Sequence, residues 1–194
     1  AIANGQIEPG CTKIVEATSG NTGIALASYA AMMNCPCEII MPCNMSAERK
    51  QMMAAFGANI IETGPNEFMK AIEIRDQKLN NETGYFSPLQ FSNPLNVECH
   101  RTTTAPEIHR NILDNWPMRW NAFVHGSGTG GPMMGVKQYI DLHELDVKCV
   151  LTQPAEDNAS HGIQGINDGA DFLLDKNQMD EFISVSYTHL RAHE

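Results

Sequence analysis

Short apolar runs alternate with longer helical stretches along most of this chain, and that alternation constrains its fold more than any other feature. Residues 13–17, 38–41 and 59–62 read as strands, and residues 23–33, 46–56 and 66–79 as the helices that follow them. Further on, 122–125 and 147–151 read as strands around a helix over 133–142. Strands alternating with helices of this length fold as mostly parallel sheets with helices on both faces. A parallel strand covered on both sides is apolar nearly throughout, which is why 38–41 runs Glu-Ile-Ile-Met instead of alternating polar with apolar. The punctuation agrees. Ser46 can cap a helix with Glu48 in its first turn, Gly57 follows its end, Gly64 and Pro65 close the third strand, and Asn80 and Asn81 offer a stop. A soft boundary falls near 92–97, where two Asn and a Pro separate the early units from the later ones. The predicted class is α/β, doubly wound and mostly parallel.

Charge and cysteine usage narrow the function classes. Thirteen Lys and Arg against 23 Asp and Glu leave a formal charge of −10 with no basic run, which excludes nucleic acid or an anionic membrane as main partner. The longest apolar stretch, 24–33, is too short to cross a bilayer, and no signal peptide is visible at the N-terminus. Cys35, Cys37 and nearby Cys43 could be read as soft-metal ligands, but C-x-C without a second pair does not fit a closed zinc site. Reduced, structural cysteine suits a cytoplasmic protein. His189 and His193 stand at i, i+4 spacing with no third ligand to complete a metal site, so no metal is expected. The last stretch, 185–194, breaks the pattern of the rest and is expected to be a non-native tail.

Two loops carry chemistry. Thr18-Ser19-Gly20-Asn21-Thr22-Gly23 lies between a strand and a helix, where hydroxyls, an amide and free backbone N–H groups make an anion site. A capped strand-to-helix turn uses the same residue types, so both readings stay open. Gly126-Ser127-Gly128-Thr129-Gly130-Gly131 again joins strand to helix. Each glycine costs roughly 0.5–1 kcal/mol relative to alanine in a regular element, and four in six residues suggest close backbone contact with a phosphate. The loop also matches G-x-G-x-x-G, the mark of a nicotinamide-binding Rossmann unit. That unit wants an acidic residue ending the next strand, whereas here the strand ends Leu151-Thr152-Gln153, with Asp146 before it and Glu156 after. The nicotinamide oxidoreductase stays as an alternative.

Taken together the loops and their surroundings resemble the cysteine synthase (O-acetylserine sulfhydrylase) family, the fold type II or β family of pyridoxal-phosphate enzymes. The resemblance runs from about residue 2 to about 184. It rests on Glu16-Ala17-Thr18-Ser19-Gly20-Asn21-Thr22-Gly23-Ile24-Ala25-Leu26-Ala27, on Met41-Pro42 with Met45-Ser46-Ala47-Glu48-Arg49, and on Phe56-Gly57-Ala58. It continues through Gln90-Phe91-Ser92-Asn93-Pro94, Thr103-Thr104-Ala105-Pro106-Glu107-Ile108, the glycine loop and His161-Gly162-Ile163-Gln164-Gly165-Ile166.

The resemblance implies a tryptophan synthase β-like two-domain fold, incomplete here. Residues 1–95 would be an N-terminal domain remnant, with 37–81 a mobile subdomain closing over substrate, and 96–184 part of the domain that holds the cofactor phosphate. Thr18, Ser19, Asn21 and Thr22 match the grip on the substrate α-carboxylate, Gln90 contacts the same carboxylate, and Asn21 also reaches the cofactor's ring hydroxyl oxygen. Gly128, Thr129, Gly130 and Gly131 match the cradle for the phosphate of pyridoxal phosphate. The implied reaction makes cysteine from O-acetylserine and sulfide by β-replacement, in a homodimeric enzyme. A cystathionine β-synthase-like enzyme using serine or homocysteine is the alternative within the family, and a non-catalytic interaction module keeping the fold is the alternative outside it.

Departures from the family pattern matter too. The Schiff-base lysine lies upstream of the asparagine loop in the family, and no lysine of this chain matches it; Lys13, Lys50, Lys70, Lys78 and Lys137 are in the wrong contexts. The chain is therefore expected to be an inactive fragment of its parent, lacking also the C-terminal serine that faces the pyridine nitrogen. Pro132 stands where the family has threonine, removing one hydroxyl and one N–H from the cradle. Ala105 replaces a glycine. The paired methionines at 32–33, 52–53 and 133–134 are expected to fill the core.

Overall fold

The computed structural model describes residues 1–115, 119–155 and 172–185. The motif at 161–166, Glu156, and the tail with His189 and His193 lie outside the described residues. The chain divides into two units, Ala1–Pro88 and Leu89–Glu194, each with its own sheet.

In the first unit β1 (Lys13–Ala17) leads to α1 (Asn21–Met32), β2 (Cys37–Pro42) to α2 (Ala47–Ala55), and β3 (Asn59–Thr63) to α3 (Phe68–Asn81), before the two-residue β4 (Tyr85–Phe86). The sheet order is β3-β2-β1-β4 with every pairing parallel, in a register that sets Ile14 beside Cys37 and Ile39 beside Ile60. Alternate strand residues feed two separate cores. Ile14, Ile39 and Met41 pack with Ala27 and Ala30 of α1 and Met53 of α2, while Val15, Ala17 and Ile40 pack with Ala71 of α3. Burial on both faces of β1 and β2 is why apolar residues stand consecutively there.

Two local expectations change. Ser46 does precede α2, but its hydroxyl donates to Glu48 Oε2 instead of accepting from a backbone N–H. Asn66 does not open α3. It sits at φ 61, locked by a reciprocal amide pair with Asn44 at 2.7 and 3.0 Å, so the helix begins two residues later. The helix ends at Asn81, where the paired asparagines predict its stop.

The second unit opens with α4 (Pro94–Cys99), a π-helical turn (His100–Thr104) and α5 (Ala105–Asn115), one continuous rod that the pattern of apolar residues did not reveal. Asn93 caps it, its side-chain oxygen accepting from Leu95 N at 3.0 Å, so within 92–97 a helix begins at Pro94. Pro106 has no N–H to give the carbonyl four residues earlier, and a π turn is one way a helix absorbs such a defect. β5 (Ala122–Gly126), α6 (Gly131–Leu142), β6 (Lys148–Pro154) and β7 (Glu181–Val185) follow, the strands pairing parallel in the order β5-β6-β7. Met133, Met134, Val136 and Ile140 of α6 are buried with Cys149 and Leu151 of β6. The methionine pairs are thus mixed: Met53, Met133 and Met134 fill cores, whereas Met32 and Met52 are 79% and 50% exposed.

Candidate active site

Both loops singled out in the sequence emerge from the carboxyl ends of parallel strands and enter helix N-termini. The first leaves β1 at Thr18, which is buried and anchored by its N–H to Ile40 O at 3.1 Å. Its hydroxyl accepts from Gly20 N at 3.4 Å, and Arg49 of α2 donates to Ser19 O at 3.3 Å. α1 then begins at Asn21 with no side-chain cap and no acidic residue in its first turn. Asn21 is exposed and Thr22 half-buried. Gly23 is a packing requirement: a Cβ there would lie 2.8 Å from Met53 Cε and 3.0 Å from Thr18 Cγ2. The uncapped helix start, free of negative charge, suits a carboxylate.

Two residues before Thr18, Glu16 is wholly buried. One carboxylate oxygen takes Arg75 Nη1 and Ala17 N, each at 2.9 Å, and the other takes Ser87 Oγ at 3.2 Å. This network fixes the strand end from which the loop departs. Sequence reasoning missed it, although a carboxylate inside Lys-Ile-Val-Glu-Ala was the available signal, since a buried charge must be paired.

The glycine loop leaves β5 and enters α6, whose first turn also carries no acidic residue. Gly130 takes the left-handed conformation at φ 85. Cβ atoms at Gly130 and Gly131 would come within 2.5 Å of Leu174 N and 2.1 Å of Asn96 Oδ1. The protein itself therefore demands glycine at both positions, a reason sequence alone does not supply. Leu173 N donates to Thr129 O at 3.0 Å, and Phe91 packs tilted against Phe172 with ring centroids 4.5 Å apart, tying the turn that carries Gln90 to the same 172–174 segment.

Asn96 of α4, unremarked in the sequence, joins the two predicted segments of this unit. Its Nδ2 donates to Gln90 O at 2.9 Å and to Thr129 Oγ1 at 3.1 Å, and Gly131 N donates to the same Thr129 oxygen at 3.2 Å. Both lone pairs of the Thr129 hydroxyl are then used, leaving its proton as a donor. Pro132, in the first turn of α6, adds neither N–H nor hydroxyl. Within the glycine loop Ser127 is 1% exposed, and its Oγ and the Nδ1 of His125 just before the loop are buried without a hydrogen-bond partner among the described residues. Burial, then the neighbouring His100, holds the His125 imidazole below its usual range. A hydroxyl donor fixed at a helix start with no acidic neighbour in that turn fits a phosphate.

Among the described residues no group of three or more His, Cys, Asp or Glu could hold a metal ion, and no helix is long and apolar enough to cross a membrane.

Comparison with known proteins gives concordant results. A family model described as pyridoxal-phosphate dependent enzyme matches residues 1–186. A cysteine synthase of Staphylococcus aureus (strain Mu50) is 37% identical over 176 residues, covering 87% of this chain and 55% of the relative. The chain thus spans about half the length of the curated relatives it matches. Among solved structures, a hydrogen sulfide-producing enzyme from Fusobacterium nucleatum superposes with a TM-score of 0.83 at 32% identity, covering 96% of this chain and 64% of that one. An O-acetylserine dependent cystathionine beta-synthase from Helicobacter pylori gives 0.79 at 29% identity, covering 95% and 61%.

Proposed function

The chain belongs to the pyridoxal-phosphate dependent enzyme family, and from that premise we propose that the enzyme it is part of makes cysteine from O-acetylserine and sulfide. The similarity to a cysteine synthase supports this reading, as does that to a hydrogen sulfide-producing enzyme. The nicotinamide alternative falls with the family match.

Pyridoxal phosphate, when bound, supplies an electron-withdrawing ring that stabilises negative charge at the substrate α-carbon. This chain contributes binding and orientation. Thr18, Ser19, Asn21 and Thr22 present an uncapped helix start to the α-carboxylate, and Gln90 adds an amide to it. Gly128, Gly130 and Gly131 bring backbone close to the cofactor phosphate, and Thr129 donates its hydroxyl proton to it. Held this way, O-acetylserine loses acetate from its β-carbon and a carbon–sulfur bond to sulfide replaces the carbon–oxygen bond. The observation that carries the reading is the Thr129 hydroxyl, whose oxygen is fully engaged and whose proton is therefore directed outward.

On this reading the Schiff-base lysine is none of Lys13, Lys50, Lys70, Lys78 and Lys137. Lys50, Lys70, Lys78 and Lys137 are tied up in ion pairs with Glu62, Glu73, Glu38 and Asp141, and the hydrogen bond to Glu38 holds the Lys78 ammonium above its usual range. The reading carries with it a homodimeric, cytoplasmic enzyme acting on small molecules. Its test is turnover by the complete enzyme containing this chain, with O-acetylserine plus sulfide against serine plus homocysteine, followed by borohydride reduction and peptide mapping. Cysteine from the first pair is expected, with the label on a lysine outside residues 1–194. Cystathionine from the second pair alone would overturn the substrate assignment, and a label on Lys13 or Lys137 would overturn the lysine assignment.

A further inference from the structure

Asn96 stands apart from the predicted site residues, yet three of its contacts converge on them. Its amide donates to Gln90 O and to Thr129 Oγ1, and its Oδ1 fills the space left by the missing side chain of Gly131. The direction of these bonds is fixed by chemistry. A backbone carbonyl can only accept, so the atom of Asn96 facing Gln90 O must be the nitrogen. The same nitrogen then faces Thr129, and its second N–H leaves the hydroxyl oxygen no role but acceptor. Gly131 N donates to that oxygen as well. A hydroxyl has two lone pairs and one proton. With both lone pairs committed inside the protein, the proton cannot turn inward.

We infer that Asn96 is a positioning residue that polarises the Thr129 hydroxyl and keeps its proton aimed at the cofactor phosphate. This rests on the reading of 128–131 as a phosphate cradle. Without Asn96 the hydroxyl regains an open lone pair and is free to rotate its proton away. The anchoring matters more here because Pro132 offers neither hydroxyl nor N–H. Pre-orienting a donor in the empty protein removes a cost that binding would otherwise carry.

The test is a double-mutant cycle on the chain itself, read by fluorescence titration with pyridoxal 5′-phosphate and, as control, with pyridoxal, which lacks the phosphate. Thr129→Val keeps the shape and deletes the hydroxyl. Asn96→Leu keeps the volume and deletes the donor, while Asn96→Ala deletes both and serves if the leucine variant fails to fold, circular dichroism being the check. A hydrogen bond to a charged group corresponds to a loss of about tenfold or more in affinity. Each single variant should lose about that much for pyridoxal 5′-phosphate and little for pyridoxal. The double variant should be no weaker than the weaker single, because Asn96 acts through Thr129. Losses that multiply in the double variant overturn the inference, as does a parallel loss for pyridoxal, which marks a merely structural role. Retained affinity in Asn96→Leu with a loss in Thr129→Val overturns the inference alone. Retained affinity in Thr129→Val overturns the cradle reading with it.

Discussion

Replacing Arg75 by methionine should unfold the first unit far more readily than any surface change. Arg75 and Glu16 have side chains 5% and 0% exposed, with Nη1 and Oε1 2.9 Å apart. Removing one member of a buried pair strands the other without its counter-charge, at a cost of about 3–5 kcal/mol. Glu16 would keep two neutral donors, Ser87 Oγ and Ala17 N, so the lower end, about 3 kcal/mol, is the expected value. That is roughly a hundredfold shift in the unfolding equilibrium. The origin of the loss is separable. In a Glu16→Gln background the carboxylate that loses Arg75 is Asp76, whose side chain is 47% exposed and stays hydrated, and Arg75→Met should then cost about 1 kcal/mol or less. Urea unfolding followed by far-UV circular dichroism measures all four corners of this cycle, provided the dependence on urea keeps its slope. An equally large loss in both backgrounds would mean that Arg75 acts through packing of its stem. A loss below about 1 kcal/mol in both would mean that the pair contributes little to folding. Because the loop carrying Thr18 begins two residues after Glu16, the same variants should loosen that loop.

Two further outcomes follow from the second unit. A Cβ at Gly135 would lie 2.5 Å from His100 Cβ and 2.6 Å from Val97 O, so Gly135→Ala should force α6 away from the π turn at about 1–3 kcal/mol; an unchanged urea midpoint would refute that packing. His125 and His100 are held below the ordinary imidazole range, chiefly by burial. The unfolded chain therefore binds more protons between the folded and unfolded values, and stability rises with pH through that window. The melting temperature should be on its plateau above the unfolded value of about 6.5 and fall as the pH is lowered beneath it. His125→Leu should flatten part of that fall, and an identical pH profile in the variant would show that His125 is not its source.

Much of the fold was legible in the sequence because it depends on local and periodic terms. Apolar runs separated by helical stretches place β1, β2, β3, β5 and β6 within a few residues of where they stand, and the near-continuous burial of β1 and β2 accords with their parallel pairing. The loops at 18–23 and 126–131 were legible for the same reason, since glycine, hydroxyl and amide residues between a strand and a helix act through backbone chemistry close at hand. The segment 94–115 was not, because a helix broken by a π turn and Pro106 keeps no steady period. Nor could periodicity show that Asn66 would be trapped in a left-handed turn by an amide 22 residues away.

The sequence by itself determined which segments lead from a strand end into a helix start with N–H donors free of a side-chain cap, because that property belongs to residues adjacent in the chain. Tertiary structure alone decided which way those donors point. Thr129 is aimed by Asn96, 33 residues distant, and the strand before Thr18 is pinned by Arg75, 59 residues from Glu16. Hydrogen-bond direction and charge pairing depend on distances of a few ångströms between groups whose separation along the chain carries no trace of their contact.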